Sequence, residues 1–490
     1  MKRYDFVALG SGPAGVAAAL QARKLGKSAA IIEKNPHRLG GTRLHYGTIP
    51  SKTMREEALG LQYVRSHLPD GVSVNLSDLI DRAKAVSRKG EMIIREQLRS
   101  NNIDLLPGYG SIISPNRIKI ISDSGQEVEI AADYILIATG STPRRPPEVK
   151  FDRKVVVDSD GIWSVKELPR TMSIFGAGII GSEYACYFAS LGVKVTLIDS
   201  RPRVMQHLDQ EVTHELIAHM QSQGINFVLG QDMKTISNVA GKAVVELEKE
   251  TIETELCFFA AGRVSSTSEL GLETIGIRMN ERGAIIVNDY YQTDVPSIYA
   301  AGDSIGPPGL VSTSMEQGRI ATENAFAGSK RKLPNLFPIG MFTIPEMSSV
   351  GMSEEEVQAA GIDYVVGRAR YEEVARGYIR GDAGLLKLVI EQNSQKILGI
   401  HIVGKDAANL LHIGQCFMLA DLPFTGLLDS IVFSYPTLAE AYRVAAFNAI
   451  NKLRHSNTLT GQPSTKITRD SDTAKEQEKQ TISEAPSKQK

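Results

Sequence analysis

The stretch Tyr4–Leu20 reads YDFVALGSGPAGVAAAL. Its first six residues favour a buried strand, and the alanine-rich run at its end favours a helix. Between them lies Gly10-x-Gly12-x-x-Gly15, whose glycines permit a tight turn and let backbone amides approach a pyrophosphate at the helix N-terminus. A second apolar strand then ends at Glu33, where a carboxylate takes the ribose hydroxyls of an adenosine. Strand, glycine turn, helix and acid in this order predict a dinucleotide-binding Rossmann unit.

The same pattern returns 166 residues later, counted from position 10 to position 176. The strand Met172–Phe175 leads into Gly176-x-Gly178-x-x-Gly181, and the next strand ends at Asp199. Two complete fingerprints in one chain are far more specific than one. They predict two dinucleotides held together, and the natural pair is FAD with a nicotinamide nucleotide.

Composition excludes several other classes of protein. The 490 residues include 55 basic and 56 acidic side chains, so neither nucleic acid nor a membrane surface is expected as a partner. The sequence contains no run of about 18 apolar residues, so no membrane span is predicted. The three cysteines, Cys186, Cys257 and Cys416, fit no metal or redox spacing, and we expect them to be plain buried or half-buried residues. We therefore predict a cytoplasmic protein with no metal site.

The stretch Leu39–Lys52, LGGTRLHYGTIPSK, resembles the redox-active loop of the pyridine nucleotide-disulfide oxidoreductases. In that family the loop carries a Cys-x4-Cys pair opposite the flavin and ends in Ile-Pro-Ser-Lys. Here the ending stands at 49–52, but Arg43 and Thr48 occupy the two cysteine positions. The chain is thus identified as a member of the family that cannot form the family's disulfide.

The resemblance covers about residues 4–453 and implies a glutathione reductase-like α/β fold. Two Rossmann-like dinucleotide-binding domains would be followed by a C-terminal α+β dimerisation domain, so we expect a homodimer. The implied segments are 1–147 (FAD-binding, first part), 148–268 (NAD(P)-binding), 269–337 (FAD-binding and central, second part), 338–453 (dimerisation) and 454–490. The last segment is polar and has no aromatic residue, which predicts a disordered tail.

Within the family, one branch is similar in detail: the soluble pyridine nucleotide transhydrogenases. The loop His45–Lys52 resembles theirs, with threonine at the second cysteine position. Tyr435-Pro436-Thr437 replaces the family's His-Pro-Thr in the same way, and the segments 412–415 and 440–446 also match. Arg43 is a departure, because even this branch tends to keep one cysteine there.

These losses favour one kind of chemistry. Without a dithiol, and with Tyr435 (pKa about 10 in model compounds) in place of a histidine base, disulfide reduction is not expected. The resemblance implies FAD-dependent hydride transfer between NADPH and NAD+. An NAD(P)H oxidoreductase passing electrons to a quinone, dye or oxygen shares every motif. A redox-silent, flavin-bound interaction protein is a third alternative, against which the nicotinamide motif argues.

The resemblance also implies the site residues. Lys52 and Glu183 would form an ion pair beside the flavin and are the predicted catalytic residues. The residues predicted to bind FAD, NAD(H) and NADP(H) are Gly10, Gly12, Pro13, Ala14, Gly15, Glu33, Lys34, Gly41, Thr42, Lys52, Ala138, Thr139, Gly140, Gly176, Gly178, Ile179, Ile180, Gly181, Glu183, Asp199, Arg201, Arg203, Gly262, Arg263, Gly302 and Asp303.

The residues after the second acid bear on nucleotide choice. Asp199 is the expected acceptor for the 2′-hydroxyl of NAD and repels a 2′-phosphate. Arg201 and Arg203 lie just beyond it, and an arginine fork suits a phosphate. The mixture predicts use of both nucleotides, and the alternative is that these arginines are only exposed loop residues.

Overall fold

A computed structural model describes residues 1–67 and 75–460 of the chain. The first unit begins with a sheet in the order β3-β2-β1-β6-β5-β4, in which β3, β2, β1 and β6 are parallel. Its elements are β1 (Lys2–Leu9), α1 (Pro13–Lys24), β2 (Ala29–Glu33), α2 (Thr42–His45), α3 (Thr48–His67), α4 (Leu76–Ser100), β3 (Ile103–Pro107), β4 (Tyr109–Ser114), β5 (Arg117–Ile121) and β6 (Glu127–Ile137). Pro13 starts α1, because its φ is already helical and its missing N–H is not needed there. The glycine turn and Glu33 therefore lie at the same edge of the sheet, where β1 and β2 end.

The second unit follows the short strand β7 (Ser141–Pro143). Its parallel sheet has the order β11-β10-β9-β15-β8, and β12, β13 and β14 form a separate antiparallel sheet. The elements are β8 (Val156–Asp158), β9 (Thr171–Phe175), α5 (Ile179–Ser190), β10 (Lys194–Asp199), α6 (Gln210–Ser222), β11 (Asn226–Leu229), β12 (Met233–Val239), β13 (Lys242–Leu247), β14 (Thr251–Thr254) and β15 (Leu256–Phe259). The helix α5 is buried over most of its length, since it lies between the sheet and the first unit.

The chain then returns to the first sheet. The strand β16 (Arg263–Ser265) pairs antiparallel with β7, so the outgoing and returning connections run side by side. Next, β17 (Ile298–Ala300) adds to β6 in parallel, and α7 (Val311–Ala327) packs on α1. Their approach is close: a Cβ on Gly318 would lie 2.2 Å from the carbonyl oxygen of Ala14. Only glycine fits there.

The C-terminal unit is an antiparallel sheet in the order β18-β19-β22-β21-β20, covered by helices. Its elements are β18 (Ile339–Met341), β19 (Met347–Gly351), α8 (Glu354–Ala359), β20 (Tyr364–Arg370), α9 (Ala375–Arg380), β21 (Leu385–Glu391), β22 (Ile397–Val403), α10 (Ala407–Leu419), α11 (Gly426–Asp429) and α12 (Glu440–Thr460). Six of the seven residues of β21 are buried, because both faces of its sheet are covered. The predicted fold class, two Rossmann-like units followed by an α+β domain, is confirmed.

The expectation that all three cysteines are buried or half-buried needs correction. The predicted tail 454–490 overlaps the end of α12 at Thr460, and residues 461–490 lie outside the described part of the chain. Cys186 and Cys257 are buried, and burial raises the pKa of each thiol to about 12, whereas Cys416 is exposed. Among the described residues, none of the helices combines the length and apolar character needed to cross a membrane.

Candidate active site

A single cavity of about 1900 Å³ runs between the three units. An ordinary pocket for one ligand measures roughly 300–1,000 Å³, so this cavity has room for two dinucleotides. The predicted cofactor-binding residues line it, with three exceptions: Gly15, Gly181 and Arg203. The two glycines lie beneath the cavity wall, and Arg203 is exposed elsewhere.

The first glycine turn opens onto this cavity. Gly10 has φ +102°, and a Cβ there would lie 2.5 Å from the carbonyl oxygen of Ala138. A Cβ on Gly15 would lie 2.0 Å from the carbonyl oxygen of Gly10, which explains why Gly15 holds α1 against the turn and does not line the cavity. Gly12, at the N-terminus of α1, has free space around it: the one atom within 4 Å of its Cβ position is 3.9 Å away. This cradle fits the pyrophosphate of FAD.

The second glycine turn has the same construction. Gly176 has φ +114°, and a Cβ there would lie 2.7 Å from backbone atoms of Ala260. A Cβ on Gly181 would lie 1.8 Å from the carbonyl oxygen of Gly176. Gly178, at the N-terminus of α5, again has nothing within 4 Å of its Cβ position. The residues present therefore fit two pyrophosphates, one at each turn.

Two predicted acids are fixed by neighbours that the sequence did not indicate. Glu33 is buried and accepts hydrogen bonds from the backbone N–H groups of Ser11 at 3.0 Å and Asn35 at 2.9 Å. Asp303 accepts a hydrogen bond from the Ser141 hydroxyl at 2.6 Å. Arg263 in turn donates to that hydroxyl at 2.8 Å, so it positions Ser141 and Asp303.

Lys52 and Glu183 form the ion pair that was predicted. The Lys52 Nζ atom lies 2.8 Å from Oε1 and 2.6 Å from Oε2 of Glu183, which joins α3 to α5. Glu183 is 3% exposed, and its Oε1 also accepts the backbone N–H of Phe342 at 2.8 Å. The Phe342 ring lies 5.0 Å from Lys52 Nζ. Sequence reasoning missed this role of Phe342, which adjoins the Thr-Ile-Pro-Glu segment of the C-terminal unit.

Arg43 also lies on the cavity wall, but unlike Lys52 it forms no ion pair among the described residues. Its Nη1 is 4.0 Å from the Met315 sulfur, and its Nε is buried without a hydrogen-bond partner among the described residues. Desolvation by burial lowers the pKa of Arg43 below its ordinary value. The resemblance to the family also implies that in a dimer this loop faces residues 434–440 of the partner subunit, which makes Tyr435 and Glu440 the expected partners of Arg43. In the structure Tyr435 is 69% exposed, whereas Glu440 is buried and accepts from Arg443 within its own chain at 3.3 Å. Tyr435 is thus the better candidate.

The residues expected to read the nucleotide's 2′ position are arranged differently from the prediction. Arg201 donates to both oxygens of Asp199, at 2.8 Å from Nε and 2.7 Å from Nη2. The two side chains therefore pair with each other. Arg203 is exposed and does not line the cavity, so its prediction as a cofactor-binding residue is not supported. The loop after Asp199 turns Arg201 back onto β10 and Arg203 outward.

Asp160 also lines the cavity, and it was not predicted from the sequence. Burial raises the pKa of its carboxyl, and its Oδ1 is buried without a partner among the described residues. It lies two residues after the end of β8, near the carboxyl end of a parallel strand where ligands are commonly bound. This position after a strand is the sequence feature from which Asp160 could have been predicted as a site residue.

Comparison with known proteins agrees with this geometry. The family model described as "Pyridine nucleotide-disulphide oxidoreductase" matches residues 4–318, and the model of that family's dimerisation domain matches residues 337–446. The chain belongs to the pyridine nucleotide-disulphide oxidoreductase family. It is a flavoprotein oxidoreductase with FAD and a nicotinamide nucleotide as its cofactors, as the two glycine turns predicted.

Relatives within this family cover nearly the whole chain. The soluble pyridine nucleotide transhydrogenase of Mycobacterium tuberculosis (strain ATCC 25177 / H37Ra) is 42% identical over 466 residues, which are 93% of this chain and 99% of the relative. That of Colwellia psychrerythraea is 38% identical over 460 residues, 92% of this chain and 98% of the relative. Among solved structures, LpdA of Mycobacterium tuberculosis matches with a TM-score of 0.85 at 25% identity, covering 91% of this chain and 99% of that one. The HOCl-induced flavoprotein disulfide reductase RclA of Escherichia coli matches with a TM-score of 0.83 at 28% identity and the same coverage.

Proposed function

We propose that this protein is an FAD-dependent pyridine nucleotide transhydrogenase, catalysing NADPH + NAD+ ⇌ NADP+ + NADH. The observation that carries the proposal is the state of the loop Leu39–Lys52. Its Lys52 is held on the cavity wall by a buried carboxylate, whereas Arg43 and Thr48 occupy the positions of the reactive cysteines. The transhydrogenase names of relatives 36–42% identical to the chain support the same activity.

Each set of residues has a role in this reaction. The turn around Gly12, together with Glu33 and Asp303, would hold FAD, and the turn around Gly178, together with Asp199, would hold the nicotinamide nucleotide. When bound, FAD supplies a ring that takes a hydride from one nucleotide and returns it to another. The chain's own part is to bind both dinucleotides along one cavity and to keep water and disulfides from the reacting groups.

Lys52 provides a fixed positive charge beside that reaction. Both carboxylate oxygens of Glu183 contact its ammonium, and the Phe342 N–H fixes the carboxylate, so the charge is held in a defined position before any reaction. A preorganised charge stabilises negative charge that develops nearby, and it does so more strongly in a site that excludes water. We propose Lys52 as the electrostatic stabiliser and Glu183 as its positioning residue.

The position of the family's histidine base carries Tyr435. A hydrogen bond with Tyr378 raises the pKa of Tyr435 above its ordinary value, so it does not act as a base near neutral pH. Hydride exchange between nicotinamides needs no such base, whereas disulfide reduction does. This loss is therefore consistent with transhydrogenation.

The competing activity is reduction of a quinone, dye or oxygen by NAD(P)H. Both activities are measured on one purified holoprotein sample, with NADPH as donor and either thio-NAD+ or a quinone as acceptor. We expect turnover with thio-NAD+ to exceed turnover with the quinone clearly. A quinone rate well above the thio-NAD+ rate would contradict the proposal and favour the diaphorase alternative.

We further propose that the protein is a cytoplasmic homodimer. The C-terminal unit matches the family's dimerisation domain, and it exposes large apolar side chains: Tyr378 at 61%, Tyr435 at 69% and Val432 at 100%. Exposed apolar side chains on a dimerisation domain are what a subunit interface would cover. Sedimentation equilibrium should give twice the mass of the 53.3 kDa chain, and a monomer at micromolar concentration would contradict the proposal.

A further inference from the structure

The Asp199 carboxylate has no free acceptor position. Its Oδ2 accepts from Ala177 N–H at 2.6 Å and from Arg201 Nη2 at 2.7 Å. Its Oδ1 accepts from the N–H of Arg201 at 2.9 Å and from Arg201 Nε at 2.8 Å. An ionised carboxylate offers about four lone-pair sites, so these four donors occupy all of them. A ribose 2′-hydroxyl can bind Asp199 only if one donor leaves.

Glu33, the corresponding acid of the first Rossmann unit, is arranged differently. Its carboxylate accepts from Ser11 N–H, the Ser11 hydroxyl and Asn35 N–H. Among the described residues no arginine or lysine pairs with it. One lone-pair position therefore stays open for the adenosine ribose of FAD. Of these two acids, Asp199 alone has all four acceptor positions occupied.

The Arg201 side chain is the donor that can leave. The Asp199 side chain is 6% exposed and fixed at the end of β10, whereas the Arg201 side chain is 43% exposed on the cavity wall. The guanidinium of Arg201 reaches water, so it is solvated when it leaves, and the backbone N–H groups of Ala177 and Arg201 remain on the Asp199 carboxylate to stabilise its charge. The guanidinium of Arg201 can form two parallel hydrogen bonds with a phosphate, as it does with a carboxylate.

We propose that the 2′-hydroxyl of NAD(H) and the Arg201 side chain compete for Asp199, and that the 2′-phosphate of NADP(H) draws Arg201 away from Asp199. The inference rests on the proposed function and names how one site accepts both substrates. Either nucleotide must displace the same Arg201–Asp199 bonds, and the charge of Arg201 offsets the repulsion between Asp199 and the 2′-phosphate. Discrimination between the two nucleotides is therefore small in the wild-type protein.

Competition for Asp199 and independent binding by Asp199 and Arg201 predict different effects of the same substitution. If Asp199 and Arg201 acted independently, Arg201→Gln would weaken binding of the 2′-phosphate and leave the 2′-hydroxyl ligand unaffected. Competition requires that the same variant bind the 2′-hydroxyl ligand more tightly, since it frees a carboxylate oxygen. Asp199→Asn should show the reverse, and its amide oxygen can still accept from Ala177 N–H.

The test uses adenosine 5′-monophosphate and adenosine 2′,5′-bisphosphate as probes, titrated calorimetrically into the FAD-loaded protein. Neither probe carries a nicotinamide, so the result does not depend on hydride exchange, and the wild-type thio-NAD+ rate tests the proposed function separately. For Arg201→Gln we expect about three- to tenfold tighter binding of the monophosphate. We expect about ten- to a hundredfold weaker binding of the bisphosphate, which is the range of one charge-assisted hydrogen bond.

Arg203→Gln is the matched control, because it removes the same charge two residues away and outside the cavity. It should change neither affinity by more than about twofold, which is the scale of screened long-range charge. Unchanged or weaker monophosphate binding by Arg201→Gln would overturn the proposal. So would equal shifts in Arg203→Gln, because they would indicate net charge and not the Asp199 pair.

Discussion

We predict that Gly12→Val abolishes binding of FAD and that Gly178→Val abolishes binding of the nicotinamide nucleotide. The two glycines are equivalent positions of the two turns, each preceding a helix, with φ of −65° and −84°. A side chain is compatible with either backbone, and nothing lies within 3.9 Å of either Cβ position, so the fold tolerates the change. The valine methyls then project toward the place where a pyrophosphate would contact the helix N-terminus.

The size of the effect follows from the contacts that are lost. A displaced pyrophosphate loses at least two charge-assisted hydrogen bonds to backbone amides, worth about 1.5–3 kcal/mol each. The loss of about 3–6 kcal/mol corresponds to about a hundredfold to ten-thousandfold weaker binding. The helix itself is hardly affected, because the N-cap position tolerates most residues at a cost of about 1 kcal/mol.

The assays are the FAD-to-protein absorbance ratio and calorimetric titration with NADH. Gly12→Val should be purified without FAD, whereas Gly178→Val should keep one FAD per chain and lose NADH binding. Gly15→Val is the contrasting control, because its Cβ would lie 2.0 Å from Gly10 O, and we expect it to misfold. Full FAD content in Gly12→Val, with normal thermal stability, would refute our placement of the flavin.

Three more predictions test the loop and its ion pair. Dithionite should reduce the protein by two electrons per FAD, because Arg43 and Thr48 cannot store a second pair; uptake of four electrons would refute the missing disulfide. Glu183→Gln should keep FAD and the Phe342 N–H contact but slow hydride exchange about ten- to a hundredfold, or about 1.4–2.7 kcal/mol, because Lys52 would no longer be held in place; an unchanged rate measured with thio-NAD+ would exclude a positioning role for Glu183. Arg43→Ala should leave nicotinamide–nicotinamide exchange nearly intact while loosening the dimer or admitting oxygen, as sedimentation and oxygen uptake would show; a collapse of exchange with normal FAD content and dimerisation would make Arg43 catalytic.

The backbone features of the site were predictable because they depend on neighbours in sequence. Glycine turns, the strands beside them and Lys52 at the end of its loop all follow from local patterns, and the structure has each of them. The domain boundaries stay predictions. Contacts between distant parts of the chain were not readable: the Phe342 N–H that fixes Glu183 lies 159 residues away. Side-chain direction could not be predicted from the sequence either: Arg201 pairs with Asp199 on the cavity wall, whereas Arg203, two residues later, is exposed outside the cavity.

The loop Leu39–Lys52 contains two cations with different surroundings, and the difference bears on assembly. Lys52 is neutralised within the chain by Glu183, whereas the guanidinium of Arg43 contacts the Met315 sulfur and, among the described residues, no carboxylate. A half-buried charge without a counter-charge is costly, so the wall around Arg43 is complete only when another group approaches it. In a dimer of the family type the exposed ring of Tyr435 of the partner subunit would face this loop, and a cation–π contact there contributes about 0.5–2 kcal/mol. The Lys52 side of the loop is thus charge-balanced within one chain, and in such a dimer the second subunit would close the Arg43 side. Arg43 would in this way replace the reactive cysteine with a contact that both blocks disulfides and stabilises the dimer.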